Sequence, residues 1–552
     1  MKEYKFLEIE DKWQKKWPTL SCFKSKIQKA QKKFYCLTMF PYPSGTLHVG
    51  HGRNYIIGDA LARYKMKKGF DVFHPMGWDA FGLPAENYAI SHKVHPRDST
   101  LKNIDSCKKQ FKRWGLVYPW EHEVTTCEPS YYRWTQWLFL QFYKKGLAYR
   151  KKASVNWCPS CATVLANEQV AEGSCERCDT AIINKKLTQW FLKITDYANK
   201  LLEDLQDLKN WPDRVKAMQA HWIGKSSGIS ILFKGADFNA ELKCFTTRPD
   251  TIYGVTYVAI SAEHPVLSEL KFDRSVKEFI EKMKSKVVRP EDVLDKEGIF
   301  SGYHVLNPVN GAKVPMWITN YVVMDYGTGC VMAVPAHDQR DFEFSKKYHL
   351  PLKIVIQPVK GKDCYSPSGL AMTLSEDSLL EAFVEEGIQA DESPFAGKPS
   401  GEVIQLMGDE LVKRAFGVKE TTYKLRDWLV SRQRYWGAPI PIVYCDHCGE
   451  QPIPEKDLPV VLPMDVVFKG EGESALARHS AFSKVTCPKC KKSARRETDT
   501  MDTFVDSSWY FLRYFSAQDD TQAFDTKMVN HWWSFWKCKR VQPNFRHLDF
   551  VR

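Results

Sequence analysis

The spacing of apolar residues changes sharply near the start of the chain. Residues 34–40 form an apolar and aromatic run, and the turn formers Pro41-Tyr42-Pro43-Ser44-Gly45 follow it. Beyond the turn, five apolar residues recur at the spacing of one helix face: Ile56, Ile57, Ala60, Leu61 and Tyr64. This order predicts a strand, a tight loop and a helix.

A second short apolar segment, residues 71–74, runs into Pro75-Met76-Gly77-Trp78-Asp79. Strand, helix and strand in this order are typical of a nucleotide-binding α/β sheet with Rossmann-like topology. Ligands of such sheets bind at the carboxyl ends of the strands, so we expect active-site residues there.

The pattern changes between Ser226 and about Gly417. Short β-like segments, such as residues 229–233 and 322–324, are broken by Gly and Pro and predict an inserted, mainly-β domain. Sequence patterns typical of helices and of an α/β domain resume at residues 425–436 and return at residues 501–515. Between these two stretches, residues 445–492 are rich in Cys, Pro and Lys.

These changes predict the domain organisation. A Rossmann-like α/β domain occupies 1–150, 418–444 and 496–530, with a zinc-knuckle insertion at 151–186 and a connection at 187–225. The inserted mainly-β domain occupies 226–417, a second Cys-pair insertion occupies 445–495, and an atypical tail occupies 531–552.

Composition places this chain of 552 residues among folded proteins, with 43% hydrophobic and 26% charged residues. No apolar run is long enough for a membrane helix and the first residues are charged, so we expect a cytoplasmic protein. The formal net charge of +13 would attract a polyanion, although solubility explains it equally well.

Eight of the sixteen Cys form four Cys-x-x-Cys pairs, which favour metal ligation in a chain without a secretion signal. Cys158, Cys161, Cys175 and Cys178 could close a tetrahedral zinc site, and so could Cys445, Cys448, Cys487 and Cys490 across a longer loop. A structural role is favoured; free thiols or modules without metal are the alternatives. The other eight Cys are interpreted as ordinary core or surface residues.

The run His48-Val49-Gly50-His51 stands where the predicted helix begins, where free N–H groups and the helix dipole favour a phosphate. Two His three residues apart can face one anion, and Gly50 keeps side-chain bulk away from it. Taken alone, such a pair is more often structural.

Longer blocks resemble a known family. Residues 41–51, Pro-Tyr-Pro-Ser-Gly-Thr-Leu-His-Val-Gly-His, resemble the HIGH signature of class I aminoacyl-tRNA synthetases. Residues 77–86, Gly-Trp-Asp-Ala-Phe-Gly-Leu-Pro-Ala-Glu, resemble the leucine enzymes, since isoleucine and valine enzymes typically carry a His at Phe81 and a β-branched residue at Ala85. With residues 425–428, 431–437 and 499–510, the resemblance to leucyl-tRNA synthetases covers nearly everything before about Asn530.

This resemblance implies ATP-dependent activation of leucine, with Mg²⁺, and its transfer to tRNA(Leu). It implies candidate catalytic residues at His48, Gly50 and His51, and an ATP site at Pro41, Ser44, Gly45, His48 and His51. It implies a leucine pocket walled by Phe40, Tyr42, Phe504, Ser507 and Tyr510, with Asp79 binding the α-ammonium group. Core packing is the competing interpretation for any single aromatic residue.

A second, hydrolytic site is also expected. One methylene in an apolar pocket is worth only about 1–3 kcal/mol, which is too little for accurate translation. Residues 246–251 and 327–341 resemble the editing domain of the leucine, isoleucine and valine enzymes. The implied site contains Thr247 near the ester, Thr251 obstructing leucine and Asp341 binding the α-ammonium group, together with Arg248, Asp250 and Asp338. A β-turn followed by a helix cap is the alternative for the first block.

The chain also departs from the family. Leucine enzymes normally continue into a KMSKS loop, a helical anticodon-stem domain and a small C-terminal domain. Lys282-Met283-Lys284-Ser285-Lys286 lies in the inserted domain on a helix-like segment, so a solvated helix face is the better interpretation. From about His531 the sequence looks foreign, as after a frameshift, and a separate polypeptide could supply the missing half. Without the KMSKS lysine we expect weak leucine activation.

Two other functions compete with the ligase. A stand-alone deacylase would hydrolyse mischarged tRNA without activating leucine. A zinc-containing, tRNA-binding remnant would bind tRNA in a salt-sensitive way and show neither activity.

Overall fold

The structure is a computed structural model that describes residues 4–20, 27–165, 170–171, 173–176, 178–285, 295–324, 328–359, 376, 379–390, 393–466 and 474–533. The chain forms two compact units. The first unit comprises residues 1–166, 186–194 and 427–552, and the second comprises residues 167–185 and 195–426. The segment boundaries given above remain predictions, and most of the atypical tail, residues 534–552, lies outside the described residues.

The first part of the chain contains both helices and strands, and it ends in a run of strands. The elements are α1 Phe6–Leu20, β1 Lys33–Tyr35, α2 Val49–Lys67, β2 Asp71–Phe73, β3 Gly77–Trp78, α3 Leu83–His92, α4 Pro96–Arg113, β4 Val124–Thr125, α5 Pro129–Lys144, β5 Ala148–Cys158, β6 Thr163–Leu165, β7 Val170–Ala171, β8 Ser174–Cys175 and β9 Ile183–Leu192.

Strands dominate the middle of the chain. The elements are α6 Ala198–Asp204, α7 Asp213–Ile223, β10 Lys225–Gly235, β11 Glu241–Thr246, β12 Tyr257–Ser261, α8 Arg274–Ser285, β13 Gly298–Leu306, β14 Lys313–Thr319, β15 Cys330–Ala333, α9 Gln339–Tyr348, β16 Ile356–Gln357, β17 Ile388–Gln389, α10 Ser400–Lys413 and β18 Gly417–Tyr423.

The last part returns to short elements. They are β19 Trp428–Leu429, β20 Ser431–Arg432, β21 Ile442–Cys445, β22 Gly449–Pro452, α11 Ala475–Arg478, α12 Ser480–Ser483, β23 Lys484–Thr486, β24 Ser493–Arg496, β25 Thr500–Met501, α13 Thr503–Ser507, α14 Tyr510–Arg513 and α15 Thr526–Trp533. Among the described helices, none is long and apolar enough to cross a membrane.

The predicted strand, loop and helix near the start are present as β1, the following loop and α2. Strand β1 pairs in parallel with β2, with Lys33 opposite Asp71. The five apolar residues do share a helix, but their face is open: Ile56 is 49% and Ile57 is 63% exposed. The core side of α2 is instead formed by smaller or polar-tipped residues, including Tyr55 and Ala62.

The prediction of helical texture in residues 425–436 is wrong. These residues form the short strands β19 and β20, which pair antiparallel with β9 and β25. Pairing with strands far away in sequence overrides the local pattern here. Residues 501–515, by contrast, contain the expected helices α13 and α14.

The second unit contains a seven-stranded sheet. Its path runs β11-β10-β13-β14-β12-β15, and β18 pairs with β10. The end strands β11 and β15 meet through Cys244 and Cys330, so the sheet curls into a barrel. Residues 229–233 lie in β10 as predicted, whereas residues 322–324 are not a strand: Val322 packs in a small cluster with Tyr257 and Phe344.

Residues 282–285 of the KMSKS-like run lie on α8, as the solvated-helix interpretation predicts. Lys282 pairs with Glu297 over 2.8 Å and Lys284 pairs with Glu281 over 3.3 Å. Met283 is buried against the second unit's core. Lys286 lies outside the described residues.

Candidate functional site

His48 and His51 cap the start of α2. The Nδ1 atom of His48 accepts a hydrogen bond from the N–H of Gly50 over 3.1 Å, and the N–H of His48 donates to Nδ1 of His51 over 3.2 Å. The ring centroids are 4.0 Å apart. A Cβ atom on Gly50 would lie 2.9 Å from Cε1 of His48, so glycine is needed for the imidazole to adopt this position.

This capping arrangement fixes the tautomers of both rings. Because both Nδ1 atoms accept hydrogen bonds, the proton of each neutral imidazole resides on Nε2. Partial burial, and next the neighbouring His48, lower the pKa of His51, which keeps that ring neutral. Two N–H donors are thereby available to an anion at a helix N-terminus.

The loop before this turn is anchored by α4, a helix outside the predicted site. Asn103 donates to the carbonyl of Pro43 over 3.0 Å, and the thiol of Cys107 donates to the carbonyl of Gly45 over 3.2 Å. Gln110 accepts from the N–H of Leu47 over 2.9 Å. Positions 103, 107 and 110 share one helix face. This polar stripe on a charged helix is the sequence feature by which the three residues could have been identified.

Two of the predicted leucine-pocket residues, Phe40 and Tyr510, are in contact. The rings of Phe40 and Tyr510 stack with centroids 4.0 Å apart and an interplanar angle of 7°. Phe504 and Ser507 lie half-buried on α13, which ends shortly before Tyr510. Tyr42 is 43% exposed, so it can contact a ligand without being part of the core.

Asp79 lies buried between two backbone segments of the first unit. Its N–H donates to the carbonyl of Pro41 over 3.0 Å, and its Oδ1 atom accepts from the hydroxyl of Thr503 over 3.0 Å. Asp79 is 3% exposed. A carboxylate held this way, next to the predicted pocket residues, is suited to bind an ammonium group.

Glu86 connects two of the blocks that carry the family resemblance. Its carboxylate accepts from the N–H groups of Trp436 and Tyr435, over 2.7 and 3.3 Å. Burial raises the pKa of Glu86. Phe81 packs edge-on against Trp436, with ring centroids 5.1 Å apart. Glu86 was not among the predicted site residues. The sequence feature that could have identified it is an acidic residue beside apolar ones.

The first editing block forms a tight turn after β11. Arg248 clamps Asp250 through Nε to Oδ1 (3.1 Å) and Nη2 to Oδ2 (2.9 Å). The hydroxyl of Thr251 donates to the carbonyl of Arg248 over 2.8 Å. Asp250 and Thr251 are buried, whereas Thr247 is exposed. Arg248 and Asp250 therefore have a clear structural role in shaping the turn.

The second editing block begins α9. Oδ1 of Asp338 accepts from the N–H groups of Arg340 and Asp341, over 2.9 and 3.3 Å, and so caps the helix. Asp341 is 3% exposed; its Oδ2 accepts from the N–H of Val334 over 2.9 Å and its Oδ1 from the hydroxyl of Tyr321 over 3.2 Å. Burial, and next the charge of Asp338, raise the pKa of Asp341 to about 7.

The two editing blocks approach each other inside the second unit. A Cβ atom on Gly254, at the end of the first turn, would lie 3.1 Å from Cγ1 of Val334. In the described part of the chain, no hydrogen bond joins Thr247 or Thr251 directly to Asp341. Thr247 instead lines a cavity of about 370 Å³, together with residues of β10, α10 and β18.

All four Cys-x-x-Cys pairs share one backbone feature. Each is followed by a residue in the left-handed region: Ala162 (φ 48°), Asp179 (φ 53°), Gly449 (φ 70°) and Lys491 (φ 62°). Within each set of four, the sulfur atoms lie within 4.8 Å of one another. Tetrahedral zinc with Zn–S of about 2.3 Å needs sulfurs roughly 3.8 Å apart, so both sets fit a metal ion.

Two known family models match long stretches of the chain. The model of class I tRNA synthetases (I, L, M and V) matches residues 12–296 and 413–534. The chain belongs to this family. A second model, leucyl-tRNA synthetase, editing domain, matches residues 220–412. The expected fold class, a Rossmann-like catalytic domain with an inserted mainly-β editing domain, is confirmed.

Individual relatives narrow the resemblance to leucine enzymes. The leucine--tRNA ligases of Thermotoga maritima and Petrotoga mobilis are each 51% identical to this chain over 537 residues. Those matches cover 96% of this chain and 64% of each relative, so the chain spans less than two thirds of their length. The agnB2 LeuRS of Agrobacterium radiobacter K84, crystallised in a ternary complex with tRNA and LeuAMS, is 39% identical with a TM-score of 0.81. That match covers 96% of this chain and 62% of that one.

Proposed function

We propose that this chain carries out the chemistry of a leucine--tRNA ligase: ATP-dependent activation of leucine, transfer to tRNA(Leu), and hydrolysis of mischarged tRNA. The observation that carries the proposal is the capped pair His48 and His51, which presents two N–H donors at a helix N-terminus. The leucine enzymes among the relatives support it. A cytoplasmic location belongs to the same proposal.

In activation, the leucine carboxylate would attack the α-phosphorus of ATP and pyrophosphate would leave. Charge then develops on the leaving phosphates, where the Nε2–H groups of His48 and His51 would donate hydrogen bonds. Asp79 would hold the α-ammonium group and so orient the carboxylate. Magnesium accompanying ATP would neutralise part of the triphosphate charge.

In editing, Asp341 would bind the ammonium group of a mischarged amino acid, and water would attack the ester carbon. The hydrogen bonds from Val334 and Tyr321 hold the carboxyl group of Asp341 in place. Thr251, on the packed turn, would exclude the leucine side chain. Thr247 is exposed beside a cavity and would lie near the ester.

The two Cys sets would each hold a structural zinc ion. The set Cys158, Cys161, Cys175 and Cys178 and the set Cys445, Cys448, Cys487 and Cys490 offer soft sulfur ligands only. Metal analysis of the purified chain tests this: zinc should fall by one equivalent in Cys175→Ser and stay unchanged in Cys127→Ser, a buried cysteine outside both sets. Metal-free wild-type protein, purified without chelators, would contradict it.

Two assays on the full chain test the ligase proposal. ATP–pyrophosphate exchange should depend on leucine and exceed exchange with isoleucine by roughly 10–200-fold. Isoleucyl-tRNA(Leu) should be deacylated. Deacylation without any detectable leucine-dependent exchange would replace the proposal with a stand-alone deacylase. Salt-sensitive tRNA binding with neither reaction would replace it with a tRNA-binding remnant.

A further inference from the structure

Two buried thiols outside the zinc sets meet in the second unit. Cys244 on β11 and Cys330 on β15 bring their Sγ atoms to 3.0 Å, although 86 residues separate them. They are 0% and 2% exposed. The sequence predicts only ordinary residues at both positions, because nothing local pairs them.

Their position gives the pair a special role. Strands β11 and β15 are the two ends of the sheet path, and in the described residues no backbone ladder joins them. Among the described residues, side chains and not a backbone ladder therefore join β11 to β15. We call this contact between the two strands the seam of the barrel. Strand β11 leads directly to Thr247, and β15 leads to Val334, which donates its N–H to Asp341.

We propose that Cys244 and Cys330 are an oxidisable pair whose disulfide cross-links the seam between the two editing blocks. With a peroxide as oxidant, one thiolate attacks a peroxide oxygen, the O–O bond breaks, and a sulfenic acid and hydroxide form. The second sulfur then attacks the sulfenic sulfur, and hydroxide leaves as the S–S bond forms. Two thiols lose two electrons and two protons, and hydrogen peroxide becomes two waters.

Burial sets the conditions for this reaction. Desolvation, and next the adjacent Cys330, raise the pKa of Cys244, and the surrounding core cluster is apolar. The thiolate is the reactive form, so cross-linking is slow at neutral pH and faster at pH 9. Peroxide reaches these buried sulfur atoms only when the seam opens transiently. Among the described residues, no backbone ladder between β11 and β15 resists this opening.

The cross-link has a consequence that rests on the proposed editing function. It would fix the spacing between the ends of β11 and β15, and so change the rate of deacylation. Independently of that function, closing a loop of 86 residues restricts the unfolded chain. The oxidised second unit should therefore unfold at a higher temperature than the reduced one.

Peptide mapping tests the proposal on the full chain. The reduced protein is treated with hydrogen peroxide at pH 7 and pH 9, remaining thiols are alkylated, and the protein is digested without reductant. A peptide pair joined through Cys244 and Cys330 is expected, two hydrogens lighter than its separate parts and more abundant at pH 9. It should disappear in Cys244→Ser and Cys330→Ser and persist in Cys127→Ser.

Other outcomes would overturn the proposal. The proposal is wrong if both thiols of peroxide-treated protein are still fully alkylated after unfolding. It is also wrong if the two thiols are oxidised separately to sulfinic acids, or if they pair with other cysteines. The wild-type map gives this answer even if a serine variant fails to fold. A joined peptide with no deacylation in either redox state would leave the cross-link standing and count against the editing function instead.

Discussion

The backbone N–H of Val334 donates a hydrogen bond to Oδ2 of Asp341 over 2.9 Å. This contact ties the carboxyl group to the residue that directly follows β15, within the same editing block. Burial, and next the nearby Asp338, raise the pKa of Asp341 to about 7, while the hydrogen bond from Val334, the charge of Arg340 and the hydroxyl of Tyr321 act to lower it. We therefore expect the proposed ammonium-binding group to change its ionisation near neutral pH.

Deacylation of isoleucyl-tRNA should consequently rise between pH 6 and pH 8. Only the ionised carboxylate attracts an ammonium group, and the ionised fraction grows as pH passes the raised pKa. Initial rates across this range check the prediction. Asp341→Asn should lose most activity and this pH step together; a variant that keeps the wild-type profile would show that another group titrates.

Thr251→Ala should let the chain hydrolyse correctly charged leucyl-tRNA. Thr251 is 2% exposed on the packed turn, so removing its side-chain bulk opens space for leucine. Thr251→Val is the matched control, because it keeps the bulk and removes only the hydroxyl that donates to Arg248. If the alanine variant loses activity and never attacks leucyl-tRNA, obstruction is the wrong role.

His51→Ala should lower leucine-dependent pyrophosphate exchange at least tenfold, about 1.4 kcal/mol of transition-state stabilisation. The change removes one Nε2–H donor and the acceptor for the N–H of His48. His92→Ala, at the exposed end of α3, is the control and should leave exchange unchanged. Equal pyrophosphate exchange in the wild type, His51→Ala and His92→Ala would show that His51 is not part of the ATP site.

Lys491→Val should weaken the second Cys set, whereas Lys491→Gly should preserve or strengthen it. Lys491 has φ 62°, a conformation that costs non-glycine residues roughly 1–2 kcal/mol and β-branched residues most. Zinc release to a chelator measures the effect. Lys489→Val, in the same knuckle without positive φ, should release zinc at the wild-type rate.

Asp502→Ala should destabilise the first unit by about 3–5 kcal/mol, because it leaves the buried guanidinium of Arg432 without its partner. The side chains are 1% and 5% exposed. Urea unfolding followed by tryptophan fluorescence measures the loss. Asp105→Asn breaks an exposed pair with Lys109 and should cost less than about 1 kcal/mol. Similar losses in both variants would contradict the burial argument.

Local sequence patterns predicted the elements that local forces determine. The strand, loop and helix around His48 and the Cys knuckles depend on turn residues and spacing, and both were found. Residues 322–324 and 425–436 were misassigned because their environment depends on distant partners. Gln110 and Cys330 were missed for the same reason: their partners lie 63 and 86 residues away.

Because the two Cys sets share the same knuckle geometry, the order in which the ribosome synthesises them matters for zinc binding. Cys178 completes the first set long before the ribosome reaches Cys445, the first ligand of the second. At about 5–20 residues per second, the interval is on the order of ten to fifty seconds. A zinc ion delivered to the nascent chain would therefore meet only one complete set of thiols. Timing during translation, and not any difference in knuckle shape, would keep the two sets from exchanging ligands.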